Sequence, residues 1–216
     1  LPYDIFKDFE TVCRISVHSI VLATPTTAPY KTLPELVKWA KANEPVTATV
    51  STKGGSVDIT LLLFAKAAGF KLTTVPGSGG ADAITKLVGG HVPFGGQHPS
   101  EVLPHFKAGR LRGLAVAFDK RDPSVPDIPT FKEFGYDVVT AGSVKGVAVP
   151  KGTPKEITAY LEKKFEEIAA DAEFQKIMKD LGQPVLYQNA AEYTVWFKAA
   201  YDQFGQLNKT LGIETK

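Results

Sequence analysis

Cysteine is nearly absent: Cys13 is the only one in 216 residues. A single thiol excludes an intramolecular disulfide framework and a zinc site built on cysteine clusters. It is compatible with either a cytosolic or a periplasmic setting. Long apolar runs are missing as well. The most apolar early segment, residues 15–23, contains His18 and Ser19 and is far shorter than the roughly 20 residues that span a bilayer. No excess of one charge appears, since 25 Lys and Arg face 23 Asp and Glu for a formal net charge of +2. That balance leaves neither an acidic tail nor a nucleic-acid footprint, and no basic–aromatic stripe stands out. The serine elbow Gly-Xaa-Ser-Xaa-Gly is absent, no paired carboxylates present themselves, and Cys13 has no local activating partner. The chain opens Leu-Pro-Tyr-Asp with neither an initiating Met nor a secretory leader, so a processed or truncated start is expected.

What is present reads as one large domain or two small ones, long enough for a real core. Strand-like segments at 15–23, 46–51, 71–75, 92–95, 111–117 and 146–149 alternate with helical patterns. Those helices fall at 33–42, 57–68, 81–88, about 99–108 and 131–134. Such alternation predicts an α/β fold with a mostly parallel sheet. After Pro150 the texture becomes nearly all helix, at 154–170, 172–181 and 190–211. Four capping boxes mark helix starts: Thr32 with Glu35, Thr130 with Glu133, Thr153 with Glu156, and Asn189 with Glu192. Trp39, Trp196, His18 and His91 read as packing or surface residues. The mixed-charge runs 119–123 and 162–167 read as solvated.

Two loops invite a chemical reading. Ser51-Thr52-Lys53-Gly54-Gly55-Ser56 joins a strand to a helix, and Pro76-Gly77-Ser78-Gly79-Gly80 does the same one strand later. Helix N-termini carry unpaired N–H groups and partial positive charge, glycines let a ligand approach them, and hydroxyls add donors. The combination suits a small anion with no fixed cation. It is not a Walker A loop, because the Gly-Lys-Ser/Thr ending is missing. The plain alternative is that Ser56 caps its own helix and the glycines make turns. In open parallel sheets ligands sit beyond the carboxyl ends of the strands, so both loops would face one cleft. At a third strand end, Gln97 and His98 could reach the same place. His98, Glu101 and His105 share roughly one helix face, yet they match no established zinc pattern.

The ordered segments "LPYDIFKDF", "STKGGSVDITLLLFAKAAGF", "KLVGGHVPFG", "LPHFKAGRLRGLAV", "KRDPSVPDIPTFKEFGYDV", "KGVAVPKGTP" and "LNKTLGI" resemble the substrate-binding proteins of tripartite tricarboxylate transporters, also called Bug or TctC-like. The resemblance implies a two-lobed periplasmic binding protein of type II, a Venus flytrap that lacks the family's usual N-terminal part of lobe 1. It implies a remnant of lobe 1 and a first hinge strand at 1–23, lobe 2 at 24–143, and a second hinge strand with lobe-1 helices at 144–216. The lobes would close about strands near 15–23 and 146–149. A small mono-, di- or tricarboxylate would be captured for membrane transporter subunits, with no cofactor, metal, nucleic acid or catalysis. The expected ligand contacts are Ser51, Thr52, Gly54, Gly55, Ser56, Gly77, Ser78, Gln97 and Ser143, with Lys53 and Lys145 as neighbouring cations. Where the family's second-lobe loop commonly reads Pro-Tyr-Lys-Gly, this chain has Pro76-Gly77-Ser78-Gly79. Where members often show Asp-Asn, it has Gln97-His98. The shortened first lobe predicts exposed apolar faces and association into oligomers. Two other classes stay open: an enzyme using His98, and a sensory module that binds a protein partner.

Overall fold

The computed structural model describes residues 2–213. The chain divides into two units, residues 1–18 with 143–203 and residues 19–142 with 204–216.

The larger unit is a three-layer α/β sandwich. Its strands are β1 (Val21–Pro25), β2 (Val46–Val50), β3 (Leu72–Pro76), β4 (Phe94–Gln97) and β5 (Leu111–Val116), in the order β3-β2-β4-β1-β5. Strands β3, β2 and β4 run parallel, whereas β1 is antiparallel to both of its neighbours, β4 and β5. The sheet is therefore mixed, with two parallel and two antiparallel pairings, rather than mostly parallel. Alternation along each strand sends residues to two cores. Ile20, Leu22, Ala48, Val50 and Phe94 pack beneath α1 (Leu33–Ala42) and α2 (Ser56–Ala68). Val21 and Ala23 pack beneath α3 (Gly80–Val88) and α4 (Pro99–Lys107) with Leu87 and Val102.

The smaller unit carries a second sheet. Strand β6 (Phe9–His18) pairs antiparallel with β7 (Ser143–Pro150) on one side and β8 (Val185–Gln188) on the other. It also contains α5 (Lys155–Ala170), α6 (Ala172–Asp180) and most of α7 (Ala190–Leu211). Tyr193 of α7 lies so close to β7 that a Cβ on Gly146 would sit 2.6 Å from its ring. A side chain at that strand position would have to displace the Tyr193 ring. The large apolar side chains that stay exposed, such as Tyr160, Val195 and Tyr201, all belong to this unit. It also holds an open hollow of about 540 Å³ walled by Tyr3, Phe6, Phe9, Tyr193 and Phe197.

Three readings of the sequence change here. The segment 15–23 is not one strand: it contains the end of β6 and the start of β1, in different sheets, separated at Ser19 and Ile20. The tail forms its three helices but also holds a strand that the sequence reading left out, β8 between α6 and α7. The run 119–123 is not wholly solvated. Asp122 is buried and accepts from the Ser19 hydroxyl at 2.6 Å and the Ser124 N–H at 2.7 Å. Among the described residues no helix is long and apolar enough to cross a membrane.

Candidate functional site

The parallel strands β3, β2 and β4 bring three strand-to-helix turns to one edge of the larger unit. The first turn runs from Val50 to Ser56. Gly54 takes a left-handed conformation (φ +73°), which a side chain would oppose. Its N–H donates to Asp58 Oδ2 at 2.7 Å. Asp58 is fully buried at the third position of α2, and Lys53 Nζ lies 3.6 Å from the same oxygen. Lys53 also donates to the Thr74 hydroxyl at 2.6 Å, tying the turn to β3. Gly55 is the helix cap and offers no side chain, so the Ser56 hydroxyl does not cap its own helix.

The second turn repeats the arrangement. Gly79 caps α3, and the Ser78 N–H donates to Asp82 Oδ2 at 3.0 Å. Lys86 pairs with the same oxygen at 2.9 Å and donates to the Pro76 carbonyl at 3.2 Å. Those hydrogen bonds, the one from Lys86 first, hold the Asp82 carboxyl below its ordinary pKa. The Gly77 N–H donates to the Val50 carbonyl at 2.9 Å, so the first and second turns are bonded directly.

The third turn follows β4. His98 caps α4, and its backbone N–H donates to Glu101 Oε2 at 3.0 Å. Its ring Nδ1 lies 3.0 Å from the Ser19 carbonyl, which requires the proton on Nδ1. Glu101 also comes close to the start of α3, where a Cβ on Gly80 would overlap its carboxylate. His98 and Glu101 are thus turned to backbone groups rather than toward each other. Among the described residues no three His, Cys, Asp or Glu side chains gather as metal ligands.

Three acids at the third helical position therefore reach back to backbone N–H groups, and the helix starts are partly self-satisfied. Among the described residues, nothing accepts from the N–H groups of Ser56, Val57 and Asp58, or from those of Gly80, Ala81 and Asp82. These six donors, at partially positive helix ends, remain available to an incoming group. Gln97 is fully buried at the end of β4 with neither amide atom paired, and Thr49 Oγ1 and Asp58 Oδ1 are likewise buried without a partner. A buried polar group left without any partner costs about 1–3 kcal/mol. Thr49 stands opposite Gly95 on the neighbouring strand, and Gln97 shares the Gly95 face.

The larger unit thus brings together Ser51, Thr52, Gly54, Gly55, Ser56, Gly77, Ser78 and Gln97 at neighbouring strand ends. Ser143 opens β7 in the smaller unit, where Lys145 Nζ lies 3.5 Å from its hydroxyl. The sequence reading did not single out Asp82, and it gave Asp58 no role. Their signal is an acid four residues after a loop Gly or Ser, at 54/58 and again at 78/82.

Residues 1–213 match the family described as tripartite tricarboxylate transporter family receptor. A UPF0065 protein of Cupriavidus necator is 28% identical over 195 residues, covering 89% of this chain. The chain spans 59% of that relative's length. Among solved structures, Rpa4515 of R. palustris with adipate superposes with a TM-score of 0.90 at 25% identity, over 97% of this chain and 71% of that one. The periplasmic binding protein BugD superposes at 0.85 with 28% identity, over 96% of this chain and 71% of its own.

Proposed function

This chain belongs to the tripartite tricarboxylate transporter family of receptors, and from that premise we propose that it captures a small organic carboxylate in the periplasm for delivery to membrane transporter subunits. One observation carries the reading. Two turns at adjacent parallel strands are bonded to each other and present unspent helix N–H groups beside the hydroxyls of Ser51, Thr52, Ser56 and Ser78. Such an edge holds a carboxylate by hydrogen bonds without a fixed guanidinium. The adipate bound to Rpa4515 supports the same class of solute. Ser143 and Lys145 belong to the smaller unit.

The arrangement favours binding without chemistry. His98 is engaged with Ser19, and Glu101 is engaged with the His98 backbone. The exposed apolar side chains of the smaller unit support association with a second copy or with a transporter subunit, and light scattering of the purified chain separates monomer from oligomer.

The test is thermal unfolding of the purified chain against mono-, di- and tricarboxylates, their amides and acidic amino acids. A ligand present at about 100 times its Kd stabilises the folded state by about 2.7 kcal/mol. One clear upward shift is expected. A cooperative melt that no member of the panel moves would contradict the proposal.

A further inference from the structure

We propose that the smaller unit holds a second anion site, apart from the strand-end turns, in which the Arg14 guanidinium takes one carboxylate group with help from the Tyr193 hydroxyl and the Gln188 amide. Arg14 lies in the middle of β6 and is only 9% exposed. Buried charges are ordinarily paired, because an uncompensated one is costly to desolvate. Among the described residues no carboxylate pairs with Arg14. Its Nε donates to the Leu186 carbonyl at 3.0 Å, and nothing accepts from Nη1 or Nη2. The guanidinium carbon stands 4.9 Å from the centre of the Trp196 ring. That stacking covers the flat face of the cation and leaves its in-plane N–H fork free, the geometry that suits a carboxylate. Burial pulls the Arg14 pKa down, and the fields of Tyr193 and Glu192 only partly oppose it.

The neighbours add donors and no anion. Arg14 faces Gln188 on one flanking strand and Gly146 on the other, so all three share one face of the sheet. The Tyr193 hydroxyl stands over Gly146, where a Cβ would come within 2.6 Å of it. It has no hydrogen-bond partner among the described residues, and neither has Gln188 Nε2. Glu192, the acid whose field reaches Arg14, is held at the start of α7 by the Asn189 N–H at 3.2 Å. Gly146 and Ala148 are exposed, so the sheet face beside these donors is open to an incoming group. A guanidinium fork, a phenol and an amide N–H with no acceptor between them describe a site for one oxyanion.

Trp196 fluorescence tests the inference, in a Trp39→Phe background that leaves Trp196 as the sole indole. Sodium acetate and a blocked tripeptide with a central glutamate are titrated at constant ionic strength against sodium chloride. A saturable change at millimolar concentration is expected. Response to acetate alone points to a free solute, and response to the peptide alone points to an acidic polypeptide segment; either supports the site. Arg14→Met should abolish the change, Arg14→Lys should weaken binding at least about fivefold for want of a fork, and Tyr193→Phe about threefold. Each variant is first shown to melt cooperatively, and Arg14→Lys and Tyr193→Phe decide the matter if Arg14→Met does not fold. An equal response to chloride, no response to either carboxylate, or a response unchanged in the variants overturns the inference. Tighter binding of inorganic phosphate overturns the assignment to carboxylates. None of these failures touches the reading of the strand-end turns, which the melting shifts test separately.

Discussion

The Gly54 N–H donates to the Asp58 carboxylate at 2.7 Å, four residues further along the chain. The bond holds the turn closed and uses a donor outside the helix, so the N–H groups of the helix itself stay free. Ser78 and Asp82 repeat it at 3.0 Å on the adjacent strand. The two acids differ in environment. Asp58 is fully buried, whereas the Asp82 side chain is 38% exposed. Asp58→Ala is therefore expected to destabilise the fold by about 1–3 kcal/mol, and Asp82→Ala by clearly less, because solvent screens an exposed pair. Urea unfolding of both variants measures the difference. Equal losses would mean that burial of Asp58 is not what gives its loop bond its weight.

Gln97 should show stability and binding moving in opposite directions. Its buried amide has no partner within the chain, so Gln97→Met removes an unsatisfied group at nearly constant volume. The ligand-free protein is expected to gain stability, or at least to lose none, by up to about 1–3 kcal/mol. Binding of any solute that moves the wild-type melt should weaken. A destabilised variant with unchanged affinity would show that Gln97 serves the core alone.

Cys13 lies buried within β6, where burial first and the Glu162 carboxylate second push its thiol up to about 11. The thiolate is the reactive form. In the folded protein Cys13 should resist iodoacetamide at pH 8 and label rapidly once urea unfolds the chain. Labelling at equal rates in both states would contradict its placement.

Acid should reveal the pair of Arg121 with Glu133. The guanidinium donates to both carboxylate oxygens, at 2.9 and 2.6 Å, and with the Thr130 backbone bond it lowers the Glu133 pKa from 4.5 to about 2. A depressed folded pKa means that this contribution is complete above the unfolded value near 4.5. It fades as pH falls through the folded value near 2. A carboxyl-carbon NMR titration should place the Glu133 midpoint near 2, and Glu133→Gln should flatten that part of the acid-unfolding curve. A midpoint at 4.5 would show that the pair does not form.

Much of the architecture could be read from the residues, and the failures have physical causes. The capping boxes at Thr130 and Glu133 and at Asn189 and Glu192 form as their spacing requires, while at Thr32 the hydroxyl caps the Glu35 N–H and the Glu35 carboxylate accepts instead from the Lys31 N–H. The one at Thr153 does not form. Pro154 is itself the cap, and the Thr153 hydroxyl turns back to the Pro150 carbonyl. Strand β8 escaped notice because four residues between two helices carry no usable period. The change of sheet at Ser19 and Ile20 was hidden because neither glycine nor proline marks it. The turns 51–56 and 76–80 were legible from their glycines and hydroxyls as strand-to-helix connections. Their internal acids were not, since an aspartate early in a helix ordinarily signals only a dipole preference. Whether it reaches back to the loop depends on how the turn folds.

The measurement closest to the central claim is an amide chemical-shift titration of the isotope-labelled chain with whichever solute raises its melting temperature most. The largest changes are predicted at Ser56, Val57, Gly80, Ala81 and Gln97. A saturating solute that leaves those amides unmoved and shifts a set elsewhere in the chain would contradict the assignment of the strand-end turns as the binding site.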